Sequence, residues 1–215
     1  MRLGMAQTLE AKGKLQVLSG EGVTWVNIKK PSLTDMEYLG EFYSFHPLDL
    51  EDCLSPRQLP KLDEYENYLF VLLHFPRFHK ETRVTIAAQL SIFLGRNYLV
   101  TVHNGDLKPF VDLFQECQQS EEARRQYLSK DSGFLLYHIL DRLVESCFPI
   151  LDKVLTNLEV IEDKVFDPRV EVAREVSELR RDIAAQRRII HPLTRLMLSL
   201  EEKAQRFTQD DLSPY

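Results

Sequence analysis

The chain has few of the residues that announce a chemistry. Three cysteines, Cys53, Cys117 and Cys147, lie too far apart for a zinc ribbon or a CxxC pair, and their odd number argues against a disulfide framework. They read as buried free thiols in a reducing compartment. Eight glycines form no phosphate-cradling loop, which leaves nucleotide binding without support. The six histidines, at 46, 74, 79, 103, 138 and 191, show no HxxxH or HExxH spacing, so no transition-metal centre is expected. Ser55, Ser91 and Ser132 lack the Gly-x-Ser-x-Gly surroundings of a hydrolase, and no catalytic constellation emerges. The longest apolar runs, such as Leu69 to Leu73, fall far short of the roughly 18 residues that span a bilayer. No signal peptide is visible at the N-terminus. Positive charge is in deficit too: the net charge is −6, which disfavours nucleic acid and favours a cation as partner.

What is present is ordinary in amount and informative in order. A chain of 215 residues, 44% hydrophobic and 28% charged, can bury one substantial core with an appended helical element. Short strands are expected at Leu15–Leu18 and Val23–Ile28, with period-two alternation through Trp25, Val26 and Asn27. A helix through about Phe45 should follow a turn at 31–35, capped by Thr34 or Asp35. Pro47 suits the first turn of a short helix, with Leu48, Leu50 and Leu54 toward a core and Asp49, Glu51 and Asp52 outward. Strand-like stretches follow at 66–75, 84–94 and 97–103, where Tyr65, Tyr68, Phe70, Phe75 and Phe78 read as core. Gly95-Arg96-Asn97 suits a hairpin between the last two stretches. A polar helix is expected over about 107–128.

Beyond Asp131 the apolar spacing becomes helical. Ser132 and Gly133 open a run carrying Leu136, Leu140, Leu143, Cys147, Ile150, Val154, Leu158, Ile161 and Val165, with a bend expected at Pro149. Phe166-Asp-Pro-Arg169 forms a turn. A second arm carries Val176, Leu179, Ile183, Gln186, Ile190, Leu193, Met197 and Leu200, with a kink expected at Pro192. The arms are charge-complementary: Asp152, Glu159, Glu162 and Asp163 on the first, Arg174, Arg180, Arg181, Arg187, Arg188 and Arg195 on the second. The fold class is therefore α/β: a three-layer α/β/α sandwich with a mixed sheet (about 1–130), followed by a long antiparallel helical hairpin (131–205).

The block His46-Pro-Leu-Asp-Leu-Glu-Asp-Cys-Leu54, with Pro56-Arg-Gln-Leu-Pro-Lys-Leu-Asp-Glu-Tyr-Glu-Asn-Tyr-Leu-Phe-Val-Leu-Leu-His-Phe75, closely resembles the cytoplasmic domain of the CorA family of Mg²⁺/Co²⁺ channels. Phe134-Leu-Leu-Tyr-His-Ile-Leu-Asp-Arg-Leu143 resembles that family's first long helix, and Leu158-Glu-Val-Ile-Glu-Asp-Lys-Val165 fits its projecting helical pair. The resemblance implies a cation-sensing regulatory domain and no enzyme. Its regulatory ligand would be Mg²⁺ or Co²⁺, held between subunits of a homo-oligomer that is pentameric in the full-length protein. It implies metal contacts at Glu51, Asp52 and Asp141, with Asp141 joining Glu51 and the partner of Asp52 lying past Tyr215. It also implies a cytoplasmic placement beside the inner membrane, a stalk helix starting within 206–215 at about Ser213–Pro214, and the membrane-spanning part beyond Tyr215. The family's Gly-Met-Asn motif does not occur in these residues, so a zinc-transporting relative stays open as an alternative, as does a soluble helical scaffold outside transport.

Overall fold

Six strands hydrogen-bond into one sheet in the order β1-β2-β6-β5-β4-β3. The computed structural model describes residues 15–55, 58–81, 84–165 and 172–208. The strands are β1 (Leu15–Ser19), β2 (Thr24–Lys29), β3 (Lys61–Glu64), β4 (Tyr68–His79), β5 (Val84–Gly95) and β6 (Tyr98–His103). Only β2 and β6 run parallel, so the sheet is mixed as expected. Arg96 and Asn97 form the tight connection between β5 and β6. The polar edge strand β3 is absent from the expectations above, because Lys-Leu-Asp-Glu carries little β-forming signal.

The sheet is covered on both faces, which explains the near-continuous apolar run of β4. Leu69, Val71, Leu73 and Phe75 point to a core shared with α3 (Lys108–Gln119), α4 (Glu121–Leu128), α5 (Ser132–Glu145) and α7 (Ala173–Ala204). Tyr68, Phe70 and Leu72 point to the opposite core, under α1 (Leu33–Tyr43) and α2 (Pro47–Leu54). Trp25 spans polar and apolar demands: its ring meets Phe110 and Phe114 edge-on, and its Nε1–H donates to Thr101 Oγ1 at 3.0 Å.

Several helix ends differ from expectation for local reasons. Ser32, not Thr34 or Asp35, caps α1, donating its N–H and hydroxyl to Asp35 Oδ2 at 2.8 and 2.6 Å. The single helix expected over 107–128 is two, because Ser120 both ends α3 and caps α4, accepting from Ala123 N–H at 3.2 Å. The run from Leu136 to Val165 is also two helices, α5 and α6 (Phe148–Val165), separated at Ser146–Cys147. Pro149 has no N–H for the Glu145 carbonyl, so the expected bend becomes a break. Asp131 caps α5, accepting from Phe134 N–H at 3.0 Å, while Ser132 Oγ donates to the Gly95 carbonyl at 2.5 Å and ties the helix to the sheet. Helix α7 continues through Pro192. The turn expected at 166–169 and the stalk start at 213–214 lie outside the described residues.

The strand–helix alternation stops near residue 130, but the core does not. Leu135, Leu136, Ile139 and Leu143 of α5, with Leu193, Leu200 and Ala204 of α7, lie in the same core as β4 and β5. Helix α6 and the first half of α7 form a hairpin beyond this core that touches the far ends of β4 and β5: Asp182 Oδ1 accepts from Thr85 N–H at 2.8 Å, and Lys153 Nζ lies 3.3 Å from the Phe78 ring centroid. Among the described residues the one ion pair between these arms is Lys164–Glu175 at 3.0 Å, the reverse of the expected charge pattern.

Candidate metal site

Helix α2 sets the geometry of the first two candidate ligands. His46 caps it, accepting from Leu48 N–H on Nδ1 at 3.3 Å, and Pro47 occupies the first turn, where its missing N–H costs nothing. The helix buries Asp49, Leu50 and Cys53. Here the sequence reading needs correction: Leu48, expected to face the core, is 60% exposed, and Asp49, expected to face outward, is 1% exposed. Polar partners from distant elements turn the helix this way. The Tyr68 hydroxyl accepts from His46 N–H at 2.9 Å and donates to Asp49 Oδ2 at 3.3 Å. Lys61 Nζ reaches Asp49 Oδ1 at 3.3 Å. Burial holds the Asp49 carboxyl above its ordinary range, partly offset by a Tyr65 hydrogen bond and the Lys61 charge.

Glu51 and Asp52 then fall where a 100° step per residue puts them, and their surroundings differ. Glu51 is exposed and makes no ion pair or side-chain hydrogen bond among the described residues. Asp52 is half-buried, and its Oδ2 lies 2.7 Å from Lys61 Nζ. The same ammonium lies 2.5 Å from Asp63 Oδ2, so Lys61 gathers three carboxylates. Burial works against the Lys61 charge, yet hydrogen bonds to Asp52 and Asp63 raise its pKa above the ordinary lysine value. Sequence reasoning missed Lys61, Asp49 and Asp63 as neighbours of Asp52. The signal was the short spacing in sequence from Asp52 to Lys61 and Asp63.

Asp141 lies on α5, exposed, on the rim of an apolar groove of about 310 Å³. Leu136, Leu140, Val144, Met197 and Leu198 line the groove, and Glu201 stands beside it. Asp141 makes no ion pair among the described residues. It cannot meet Glu51 within one chain. Helix α2 covers one face of the sheet and α5 the other, and packed layers stand about 10 Å apart. Among the described residues no three His, Cys, Asp or Glu side chains cluster as a metal centre. Glu51 and Asp141 are exposed carboxylates, the donor type that could hold a hydrated Mg²⁺ or Co²⁺. Asp52 offers the same donor type, with its Oδ2 already held by Lys61.

The model of the CorA-like Mg²⁺ transporter protein family matches residues 20–215. The chain is 28% identical over 212 residues to the cobalt/magnesium transport protein CorA of Thermotoga maritima, a match covering 97% of this chain and 59% of that relative. It is 34% identical over 190 residues to the putative metal ion transporter YfjQ of Bacillus subtilis, covering 86% of this chain and 57% of the relative. The chain thus spans well under two thirds of the length of these curated relatives. The solved soluble domain of CorA from Methanocaldococcus jannaschii has the same fold, with a TM-score of 0.70 at 22% identity over 83% of this chain and 70% of that one. Among the described residues no helix is long and apolar enough to cross a membrane. The chain belongs to the family of CorA-like Mg²⁺ transporter proteins.

Proposed function

We propose that this chain is the cytoplasmic, divalent-cation-sensing part of a Mg²⁺/Co²⁺ transport protein, and that it works by binding rather than catalysis. The observation that carries the reading is the pair of free carboxylates, Glu51 and Asp141, on layers separated by the sheet. A cation can join them only where two copies meet. Family membership and the names of the relatives supply the ion class.

Electrostatics gives the direction of the effect. Carboxylates of neighbouring copies held a few ångströms apart repel by about 1–4 kcal/mol in water-like to surface-like surroundings. A bound Mg²⁺ or Co²⁺ supplies the countercharge, so metal favours the tightly associated arrangement. Loss of metal lets the copies separate. At roughly millimolar affinity one site contributes about 4 kcal/mol of binding, and only the difference between the two arrangements shifts the equilibrium. Several sites acting together are therefore required.

The experiment is association of the protein by sedimentation velocity across a Mg²⁺ series, against EDTA, with Co²⁺ and Zn²⁺ as parallel series. Metal should raise the associated fraction, and Glu51→Ala or Asp141→Asn should remove that response while leaving the fold intact by circular dichroism. Equal association with Mg²⁺ and EDTA would contradict the reading, and a response to Zn²⁺ alone would move it to zinc.

A further inference from the structure

Lys61 stands in the sheet register, not on a free arm. It opens β3 and pairs with Leu72 of β4, and its Nζ lies 5.0 Å from the centroid of Phe70. From that fixed base the ammonium reaches Asp52 Oδ2 at 2.7 Å, Asp63 Oδ2 at 2.5 Å and Asp49 Oδ1 at 3.3 Å. Exposure rises across the three acids, from 1% at Asp49 through 16% at Asp52 to 39% at Asp63. Three carboxylates around one ammonium leave a formal excess of two negative charges. The ammonium is therefore shared, and Asp52 and Asp63 both combine a short contact with an opening to solvent, Asp52 being the one on α2 beside Glu51.

We infer that Lys61 is the internal competitor for Asp52: a divalent cation draws on that carboxylate against the hold of the Lys61 ammonium on Oδ2, which sets how much cation is needed. This rests on the reading of Asp52 as a cation contact given above. Release does not strand the lysine, because Asp49 and Asp63 keep it paired. The exchange is thus between two cations on one carboxylate, without an uncompensated buried charge. Lys61 acts through Asp52 and is a positioning residue. Asp63 tunes it from the other side, since a carboxylate that draws Nζ outward loosens its hold on Asp52.

The test uses calorimetric titration of the intact, metal-stripped protein with Mg²⁺ and with Co²⁺, together with the rise in Tm on adding each ion. Lys61→Met should bind about tenfold more tightly, the size of a lost charge-assisted contact at a half-exposed site. Lys108→Met, an exposed lysine on α3, controls for bulk charge and should change affinity little. Asp63→Asn should move affinity the opposite way, about threefold weaker, because the ammonium then rests more fully on Asp52. Asp63→Asn keeps Asp49 paired, so it serves if Lys61→Met does not fold. In an Asp52→Asn background both effects should vanish. If Asp52→Asn weakens binding but Lys61→Met matches Lys108→Met, or Asp63→Asn does not weaken it, the competitor role is overturned and the cation reading survives. If Asp52→Asn leaves both ions' binding unchanged, the reading of Asp52 as a contact falls, and the competitor role with it.

Discussion

Strand β4 and helix α6 are both rich in Leu, Val and Phe, and they end in opposite environments. From Leu69 to Leu73 every residue of β4 has no exposed surface, because one layer of helices covers each face. In α6, Ile161 is the buried residue, while Phe148, Leu151, Leu155, Leu158 and Val160 are all exposed. Helix α7 carries the contrast along its own length. Its residues Leu179, Gln186, Leu193 and Leu200, seven apart, are buried, and Val176 and Ile183 on the neighbouring row are exposed. Apolar content alone does not place a segment; the layers packed on it do. The sandwich buries its apolar surface on both faces of the sheet, and the hairpin holds apolar surface that the described residues do not cover.

The largest way to sharpen this contrast is a matched pair of truncations. Leu72→Ala should cost about 2–5 kcal/mol, through lost burial and the cavity left behind. Leu155→Ala, at a site 58% exposed, should fall within about 0.5 kcal/mol of the parent. Urea midpoints at constant m-value measure both, and equal costs would break the contrast.

Acid should weaken the sandwich through His103, a group buried at the end of β6. Burial and the nearby Lys29 charge, opposed by Asp106, lower its pKa from 6.5 to about 4, and its Nδ1 accepts from Gly105 N–H at 2.9 Å. A lowered histidine pKa means the unfolded chain takes up the proton first. Stability is therefore full above about pH 6.5 and is lost as pH falls toward 4, by about 3 kcal/mol at the lower end. His103→Asn, which keeps an acceptor for Gly105, should flatten that limb in urea melts taken from pH 7 to 4.5. An unchanged limb would show that another group governs it. Gly105 itself has φ +87°, and a Cβ there would meet the Lys29 side chain, so Gly105→Ala should also destabilise.

Smaller effects separate a helix anchored on the core from one that projects. Asp131→Ala removes the cap of α5 and should cost about 1 kcal/mol by urea midpoint. Lys164→Ala breaks the α6–α7 pair, whose members are 39% and 42% exposed, and should change the same midpoint by about 0–0.5 kcal/mol.

The strands with apolar alternation or long apolar runs were legible, as were the Arg96–Asn97 turn and the fold class. What escaped was set by partners distant in sequence or by a single polar residue. Asp49 reads as an outward acid until Tyr68 and Lys61 are brought to it. Edge strand β3 needs only the β4 backbone, so its side chains carry little signal. Ser120 interrupts an otherwise continuous helical spacing, and nothing in that spacing shows which side of it each helix belongs to. Similarly, Asp52 reads from type alone as an acid on a solvated face and is raised to a candidate only by the family resemblance, whereas its contact with Lys61 depends on where β3 returns.

The account turns on whether cations join copies of this chain through Glu51 and Asp141. The most direct measurement is calorimetric titration of Mg²⁺ into the intact protein and into Glu51→Ala, with sedimentation run at the start and end of each titration. The account predicts binding accompanied by association in the parent, and both weakened together by Glu51→Ala. Parent and variant that bind and associate alike would contradict it.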